Sequence, residues 1–372
     1  MAVSDAVAAR AMATYHKRSV DVVVRGMGEI NALLRLILNR KKIKWDGHGD
    51  KFEWAVGKLE EEAEWYSGEL GTNTFEELDP AQKASLAYCF LKKTYGVGEA
   101  TIKTNRANGY AKLVDLQAEN AREAQMAMYR SIVAALYSDA AGTSKESGPA
   151  GLRTITANAY SSATAVTVDA GQSYAGITMN TSAISAWSAN KAGFDQKWWA
   201  PEVIDIDELP GGTSKWSTDC LIALAWMPMA MAMTQDVSGT GKITTPDLAL
   251  MNTDPFFAVW VKLIGYKGAA GPINLTNEDF KNVGIRNVLI GDLTCVLDTA
   301  VPADASGYER VFVLDSKQFV LETLNTKAEG LIENEFDSKD PKVDGAVGIY
   351  RSNLGLRIST PSAAGCVTGC ND

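Results

Sequence analysis

Residues 106–140 read RANGYAKLVDLQAENAREAQMAMYRSIVAALYSDA and carry the clearest helix signal in the chain. Met128, Ile132 and Leu136, flanked by Tyr129, Val133 and Tyr137, form a broad apolar stripe, while Lys112, Asp115, Glu119, Arg122 and Arg130 fall on other faces. The pattern stops at Gly142. At about 1.5 Å per residue such a helix would run roughly 50 Å, longer than a compact domain of this size requires. It reads as a spine on which the other elements hang.

Upstream of it, Ile30, Leu33, Leu34, Ile37 and Leu38 recur at spacings of three and four, a helical pattern within residues 1–40. No second apolar stripe stands nearby to pair with it, so it is expected to pack on something else. From Arg40 to Val56 the period changes to two. Ile43 and Trp45 precede the turn-rich Asp46, Gly47, His48, Gly49 and Asp50, and then Phe52, Trp54 and Val56 alternate with Lys51, Glu53 and Ala55. This predicts a β-hairpin over 43–56. An acidic run (Glu60, Glu61, Glu62, Glu64) and the turn-like GELGTNTFEELDP follow. Leu86, Tyr88 and Phe90 alternate like a strand, although Asp79 and Pro80 could instead cap and start a helix.

Downstream, residues 143–212 are rich in Ser, Thr, Ala and Gly, which predicts loops and short strands on a scaffold. A helix is expected over 219–233, with Met227, Met229, Met231 and Met233 filling irregular gaps in a core. A strand over 248–251 leads to a helix begun by Asp254 and Pro255, whose buried face would be Phe256, Trp260, Leu263 and Ile264. Strands are expected over 288–290, 293–297, 311–314 and 319–321, and a last long strand or bent pair over 346–359. No fixed-period repeat is evident. The fold class is α+β.

Composition narrows the function classes. With 372 residues the chain exceeds the roughly 250–300 at which one core stops growing, so two subdomains or long excursions are expected. Its 46% hydrophobic and 22% charged residues are ordinary globular usage, which argues against disorder and disulfide scaffolds. The longest apolar stretch, 221–233, falls short of the roughly 20 residues of a membrane span and is interrupted by Pro228, so no span is expected. The start, MAVSDAVAARAMATYHKRS, lacks a basic region followed by an apolar run, so no secretory signal is expected and the protein stays where it is made. Five scattered cysteines suit free thiols, and Cys366 and Cys370, in a Gly-rich tail without a histidine, read as spare thiols rather than a metal site. The net charge of -9 opposes uniform adsorption to nucleic acid. Arg40, Lys41, Lys42 and Lys44 are the local exception, read first as a solvated face and alternatively as phosphate-facing residues.

Catalytic readings fail on the same residues they would need. Only His16 and His48 are available for a triad; the first lies in an N-terminal arm and the second in a turn between glycines. SGTGKIT at 238–244 is not a phosphate loop, because Asp236 stands where its first glycine belongs and Ile243 where a hydroxyl must reach magnesium. The glycines of GMG, Gly26 and Gly28, have Asn31 where a third glycine is required for dinucleotide binding. Asp205 and Asp207 read as a solvated strand edge or loop. No catalytic, cofactor or metal residues are assigned, and the chain is expected not to be an enzyme.

The order of elements resembles the Hong Kong 97-type fold of tailed-phage capsid proteins and encapsulins. A helical arm, a long aromatic hairpin excursion, a spine helix, a loop-rich β segment, a helix, strand and helix unit, and a return strand follow one another over almost the whole chain. ALYSD at the end of the spine, followed by GLRTI with Gly151, Leu152 and Ile155, is like the phage branch. Tyr174, Ala175, Gly176 and Ile177 with Trp198 and Trp199 resemble the "GID... WW" passage of one group, with Thr178 in place of the usual acidic residue. PDLALMNTDPFFAV is similar to the axial-domain strand and helix, and AVGIYRSNLGLRISTP to the closing strand of the peripheral domain.

The resemblance implies an N-terminal arm over 1–40 and an extended loop over 41–104, which makes Leu86, Tyr88 and Phe90 a strand. It implies a peripheral domain with the spine over 105–218, an axial domain over 219–318, and peripheral return strands with the C-terminal tail over 319–372. Ile43, Trp45, Phe52, Trp54 and Val56 of the loop, and Leu33 and Ile37 of the arm, would then bury their apolar faces on neighbouring subunits. The expected function is self-assembly into pentamers and hexamers of an icosahedral phage head, the virion capsid, enclosing double-stranded DNA and formed in the bacterial host cytoplasm. Scaffolding, portal and decoration proteins are the further partners; no membrane is involved. The spine begins too early to leave room for a fused scaffolding segment, and no lysine and asparagine pair is identified for covalent crosslinking. An encapsulin-like compartment with enzyme cargo is the alternative within the fold, and a soluble α+β hydrolase the alternative outside it.

Overall fold

The computed structural model describes residues 31–57, 81–98, 110–140, 142–146, 148–156, 160–162, 165–167, 173–178, 199, 201–209, 212–213, 215–232, 245–270, 287–303, 309–327, 329–337 and 345–370. His16, the two glycines of GMG, Asp79, Pro80, Trp198, Met233 and SGTGKIT lie outside the described residues.

The first described helix, α1 (Ala32–Asn39), starts at Asn31, whose side-chain oxygen accepts a hydrogen bond from the Leu34 amide at 2.8 Å. This N-cap satisfies one of the amides that the first turn leaves without a partner. Next come the strands β1 (Ile43–Lys44), β2 (Lys51–Gly57), β3 (Ala81–Ala87) and β4 (Cys89–Gly98), then the spine α2 (Tyr110–Leu136) and a single turn α3 (Leu152–Ile155). At 27 residues the spine runs about 40 Å and ends six residues short of Gly142. Its stripe is as expected, with Met128, Tyr129, Ile132, Leu136 and Tyr137 all buried.

Short hairpins follow: β5 (Tyr160–Ser162) with β6 (Ala165–Thr167), and β7 (Ser173–Tyr174) with β8 (Ile177–Thr178). The second turns through Ala175 and Gly176, both at positive φ (54° and 82°), the backbone a two-residue hairpin demands. The chain continues through β9 (Glu202–Asp205), α4 (Trp216–Ala232), β10 (Leu248–Met251), α5 (Thr253–Ala270), β11 (Asn287–Ile290), β12 (Leu293–Leu297), β13 (Val311–Leu314), β14 (Phe319–Thr323), β15 (Glu333–Asp337), β16 (Gly345–Ile358) and β17 (Ala364–Thr368). Apart from shifts of a few residues at their ends, the elements predicted downstream of residue 218 are present.

Two sheets organise these elements. In one, β16 is the long central strand. It pairs with β4 along ten residues, from Cys89 opposite Leu354 to Gly98 opposite Gly345, and its other edge carries β14 and β15 in tandem. The spine packs across β4 and β16. The other sheet has the order β11-β12-β10-β13-β17-β9. All four residues of β10, LALM, are buried because both faces of this sheet are covered. Ala249, Met251, Val311, Val313 and Val367 face a layer made by α4 and α5. Leu248, Leu250, Phe312, Leu314 and Cys366 face the larger core shared with α1 and α2. The period of two thus sends alternate side chains of one strand into different cores.

Four expectations are corrected here. Residues 43–56 do not pair with each other: β1 joins β14 in parallel, Ile43 opposite Leu321, while β2 pairs with β3, Phe52 opposite Leu86. The reason is in the predicted turn, where the amides of Asp46 and Gly47 donate to the carbonyls of Asn325 and Thr323 and tie the segment to the end of β14. Next, α1 is not an arm awaiting a partner, since Leu33, Leu34, Leu36 and Ile37 are buried in the chain's own core. The run over 364–368, read as part of a C-terminal tail, is a strand. β17 is an interior strand between β13 and β9, and Cys366 and Cys370 are buried, as are the other three free cysteines. Asp205, read as solvated, is likewise buried on β9, where its side chain accepts from the Asp207 amide at 3.1 Å.

Candidate assembly surface

Each residue assigned to an inter-subunit contact has a place inside this chain. Leu33, Ile37, Phe52 and Val56 are at most 5% exposed, and Ile43, Trp45 and Trp54 are half-buried against the same core. Phe52 lies over Gly355 of β16, where a Cβ would sit only 2.6 Å from the ring's Cζ, and its ring meets Tyr88 at 5.1 Å between centroids. Trp54 donates its indole N–H to the Ser359 carbonyl at 3.2 Å, lies beneath the Arg357 guanidinium at 5.5 Å, and neighbours Tyr174 at 6.2 Å. Tyr174 in turn accepts a hydrogen bond from the Ile358 amide and lies tilted against Trp199, 6.0 Å between ring centroids. Burial pushes the Tyr174 phenol up, so it stays neutral. The premise that these side chains lack cover within their own subunit is therefore wrong: β14 and β16, distant in sequence, supply it.

The four basic candidates are mostly engaged as well. Arg40 pairs with Asp247 at 2.8 Å and also donates to the Ser316 hydroxyl. Lys42 donates to the Lys317 carbonyl at 3.0 Å, and Lys44 stands 3.5 Å from the buried Glu322, which Arg357 approaches on its other oxygen at 3.2 Å. Lys41, at a positive φ of 53° in the turn after α1, is exposed. His48 is exposed in its turn, as read from sequence. Among the described residues no group of His, Cys, Asp and Glu could hold a metal ion, and no helix is long and apolar enough to cross a membrane.

A different surface stands out. Four of the five large hydrophobic side chains exposed among the described residues lie on α4 and α5: Ile222 and Met229 on the first, Phe257 and Val261 on the second. The two helices pack against each other. The inner face of α4 is well covered, with Met227 and Met231 over Gly365 of β17, where a Cβ would meet their sulfurs at 2.9 and 3.0 Å. Met229, expected as core, points the opposite way and is 55% exposed. The signal was present in the sequence. From Cys220 to Ala232 no residue of α4 is charged, so the helix is apolar all round, and such a helix is normally covered on every side. The fifth exposed side chain, Phe90 on β4, has the Lys145 ammonium 5.4 Å above its ring.

Comparison with solved structures places this architecture. The capsid of Myoviridae Phage XM1 matches over 90% of this chain and 92% of that chain, with a TM-score of 0.50 and 13% identity. The chain therefore has the fold of a phage capsid protein, the α+β fold its element order resembles. The capsid of the native GTA particle matches with a TM-score of 0.45 and 13% identity over 90% of both chains. The SrpI encapsulin of Synechococcus elongatus PCC 7942 matches at 0.49 and 11% over 90% of this chain and 87% of that one. No family model and no curated protein sequence matches the chain.

Proposed function

We propose that this chain is a structural subunit, not an enzyme, that associates with copies of itself into pentamers and hexamers of an icosahedral phage head around double-stranded DNA. The observation that carries the reading is the outer face of α4 and α5. Exposed large apolar side chains on two helices that pack together mark a candidate association site, and a closed shell supplies a neighbour for every copy. In this reading the sheet centred on β16, with the spine, is the peripheral part, and the sheet centred on β10 and β13, with α4 and α5, is the axial part that meets its copies around the symmetry axes. The interface would need to bury roughly 1,200 Å² or more in total to hold specifically. The capsid would be the protein's location, reached from the host cytoplasm where it is made, and Lys41 is the member of the basic cluster best placed to meet phosphate.

Negative-stain imaging and light scattering of the purified protein test this. Closed particles or capsomers are the expected result, and a 39.9 kDa monomer at all concentrations and salt levels would overturn the reading. Nuclease-protected DNA in particles isolated from an infected host is expected. Protein cargo in its place would make the shell an encapsulin-like compartment.

A further inference from the structure

Strand β4 is an open edge of the sheet centred on β16. Two bonds that leave the sheet show which of its backbone groups face outward: the Phe90 amide donates to the Lys145 carbonyl at 2.9 Å, and the Gly96 carbonyl accepts from the Asn120 side chain at 3.2 Å. Successive residues of an antiparallel strand alternate in direction, so Lys92 and Thr94, between those two, also turn their N–H and C=O groups away from β16. Both residues are exposed, and among the described residues no strand pairs with this edge. A trough of about 690 Å³ runs between it and the spine. Lys93, Arg122 and Arg130 line the trough against Glu119 and Glu123, and the neighbouring Lys92 adds a fourth cation. The opposite edge of the same sheet is β15, which pairs with β16 alone. Its five residues, ENEFD, include Glu333, Glu335 and Asp337 and no basic residue.

We infer that β15 of one copy adds to the β4 edge of the next, seated in this trough, so that one sheet continues from subunit to subunit; the contact deepens the self-association proposed above and rests on it. Both strands run antiparallel to β16, so copies that keep the sense of the sheet bring β15 alongside β4 in parallel. The outward groups of Lys92 and Thr94 supply main-chain hydrogen bonds, and the charges supply direction. Two basic edges repel each other and so do two acidic ones, whereas a basic edge attracts an acidic one. The contact is therefore head-to-tail, the kind from which rings of copies are built.

The test uses the full chain and three variants. Thr94→Pro removes an outward N–H at an edge position, where a strand tolerates proline. Lys92→Glu with Lys93→Glu reverses the basic edge, and Glu333→Lys with Glu335→Lys reverses the acidic one. Each should cut the yield of particles or capsomers at least tenfold by light scattering, while the melting transition of the dissociated subunit stays in place. Both reversals in one chain should restore most of the yield, because the two edges are then complementary again. Thr94→Pro leaves the charges untouched and decides the case if a reversed chain does not fold. A wild type that never assembles would overturn self-association itself. Wild-type yield from Thr94→Pro and from both reversals, or reversals that do not rescue each other, would overturn this contact alone.

Discussion

Tyr137, one residue past the end of the spine, donates its hydroxyl to the Asp298 carboxylate at 2.6 Å, and Asn31 donates to the same oxygen. The other oxygen accepts from the Ala300 amide at 2.9 Å. The end of α2, the start of α1 and the end of β12 thus meet at one buried group, 161 residues from Tyr137 and 267 from Asn31. Burial raises the Asp298 carboxyl above the usual carboxylate range, while the hydrogen bonds from Tyr137 and from the Ala300, Ala32 and Leu33 amides act against it.

Removing the phenol donor should be costly. Tyr137→Phe leaves the buried carboxylate one donor short, and hydrogen bonds to charged groups contribute about 1.5–3 kcal/mol. The urea midpoint of the dissociated subunit should fall accordingly, with the slope unchanged.

The raised Asp298 carboxyl also fixes a sign for pH dependence. A group with a raised folded pKa contributes stability that is fully present below its unfolded value of 3.8 and is lost as pH rises through the folded value. Asp298→Asn does not titrate. The wild type should therefore gain stability relative to this variant as pH falls from 7 toward 4, and urea melts of both proteins at the two pH values check it.

Gly355 and Phe52 should be energetically coupled. Gly355→Ala drives a methyl into the Phe52 ring and should destabilise by about 1–3 kcal/mol, the usual range for overpacking. In a Phe52→Ala background the same change should cost far less. A double-mutant cycle by thermal unfolding would show an interaction of at least 0.5 kcal/mol, whereas additivity would mean the ring moves aside freely.

Trp54→Ala should weaken the free subunit by about 2–4 kcal/mol, somewhat less than a fully buried aromatic, because it loses the Ser359 hydrogen bond and its packing on the core while one face stays open to solvent. Thermal unfolding of dissociated subunits measures this. A melting point equal to wild type, with particle yield reduced, would restore the tryptophan to an interface.

Phe257→Asp and Met229→Asp should have the opposite profile. Both side chains are more than half exposed, so the subunit's melting point should move little. Desolvating a carboxylate at an apolar contact is costly, so assembly should drop at least tenfold by light scattering. Wild-type assembly would place the shell contacts elsewhere.

Neighbouring residues alone suffice to read the catalogue of elements: the spine, the apolar strand LALM, the helix started by Asp254 and Pro255, and the strands over 293–297 and 311–314. Those follow from local rules, because a period of 3.6 or 2 and a capping residue are written in neighbouring positions. The apolar circumference of α4 was equally legible, and with it the surface now carrying the functional reading. The tertiary structure alone decided which apolar face meets which. The alternation of Phe52, Trp54 and Val56 gives a strand with an apolar face, but its cover comes from β16, some 300 residues on, and the partner that draws β1 away lies in β14. The Gly-rich C-terminal run looked like a tail because small residues carry little hydrophobic signal. It is an interior strand because helix α4 needs Gly365 to bring Met227 and Met231 down onto the sheet.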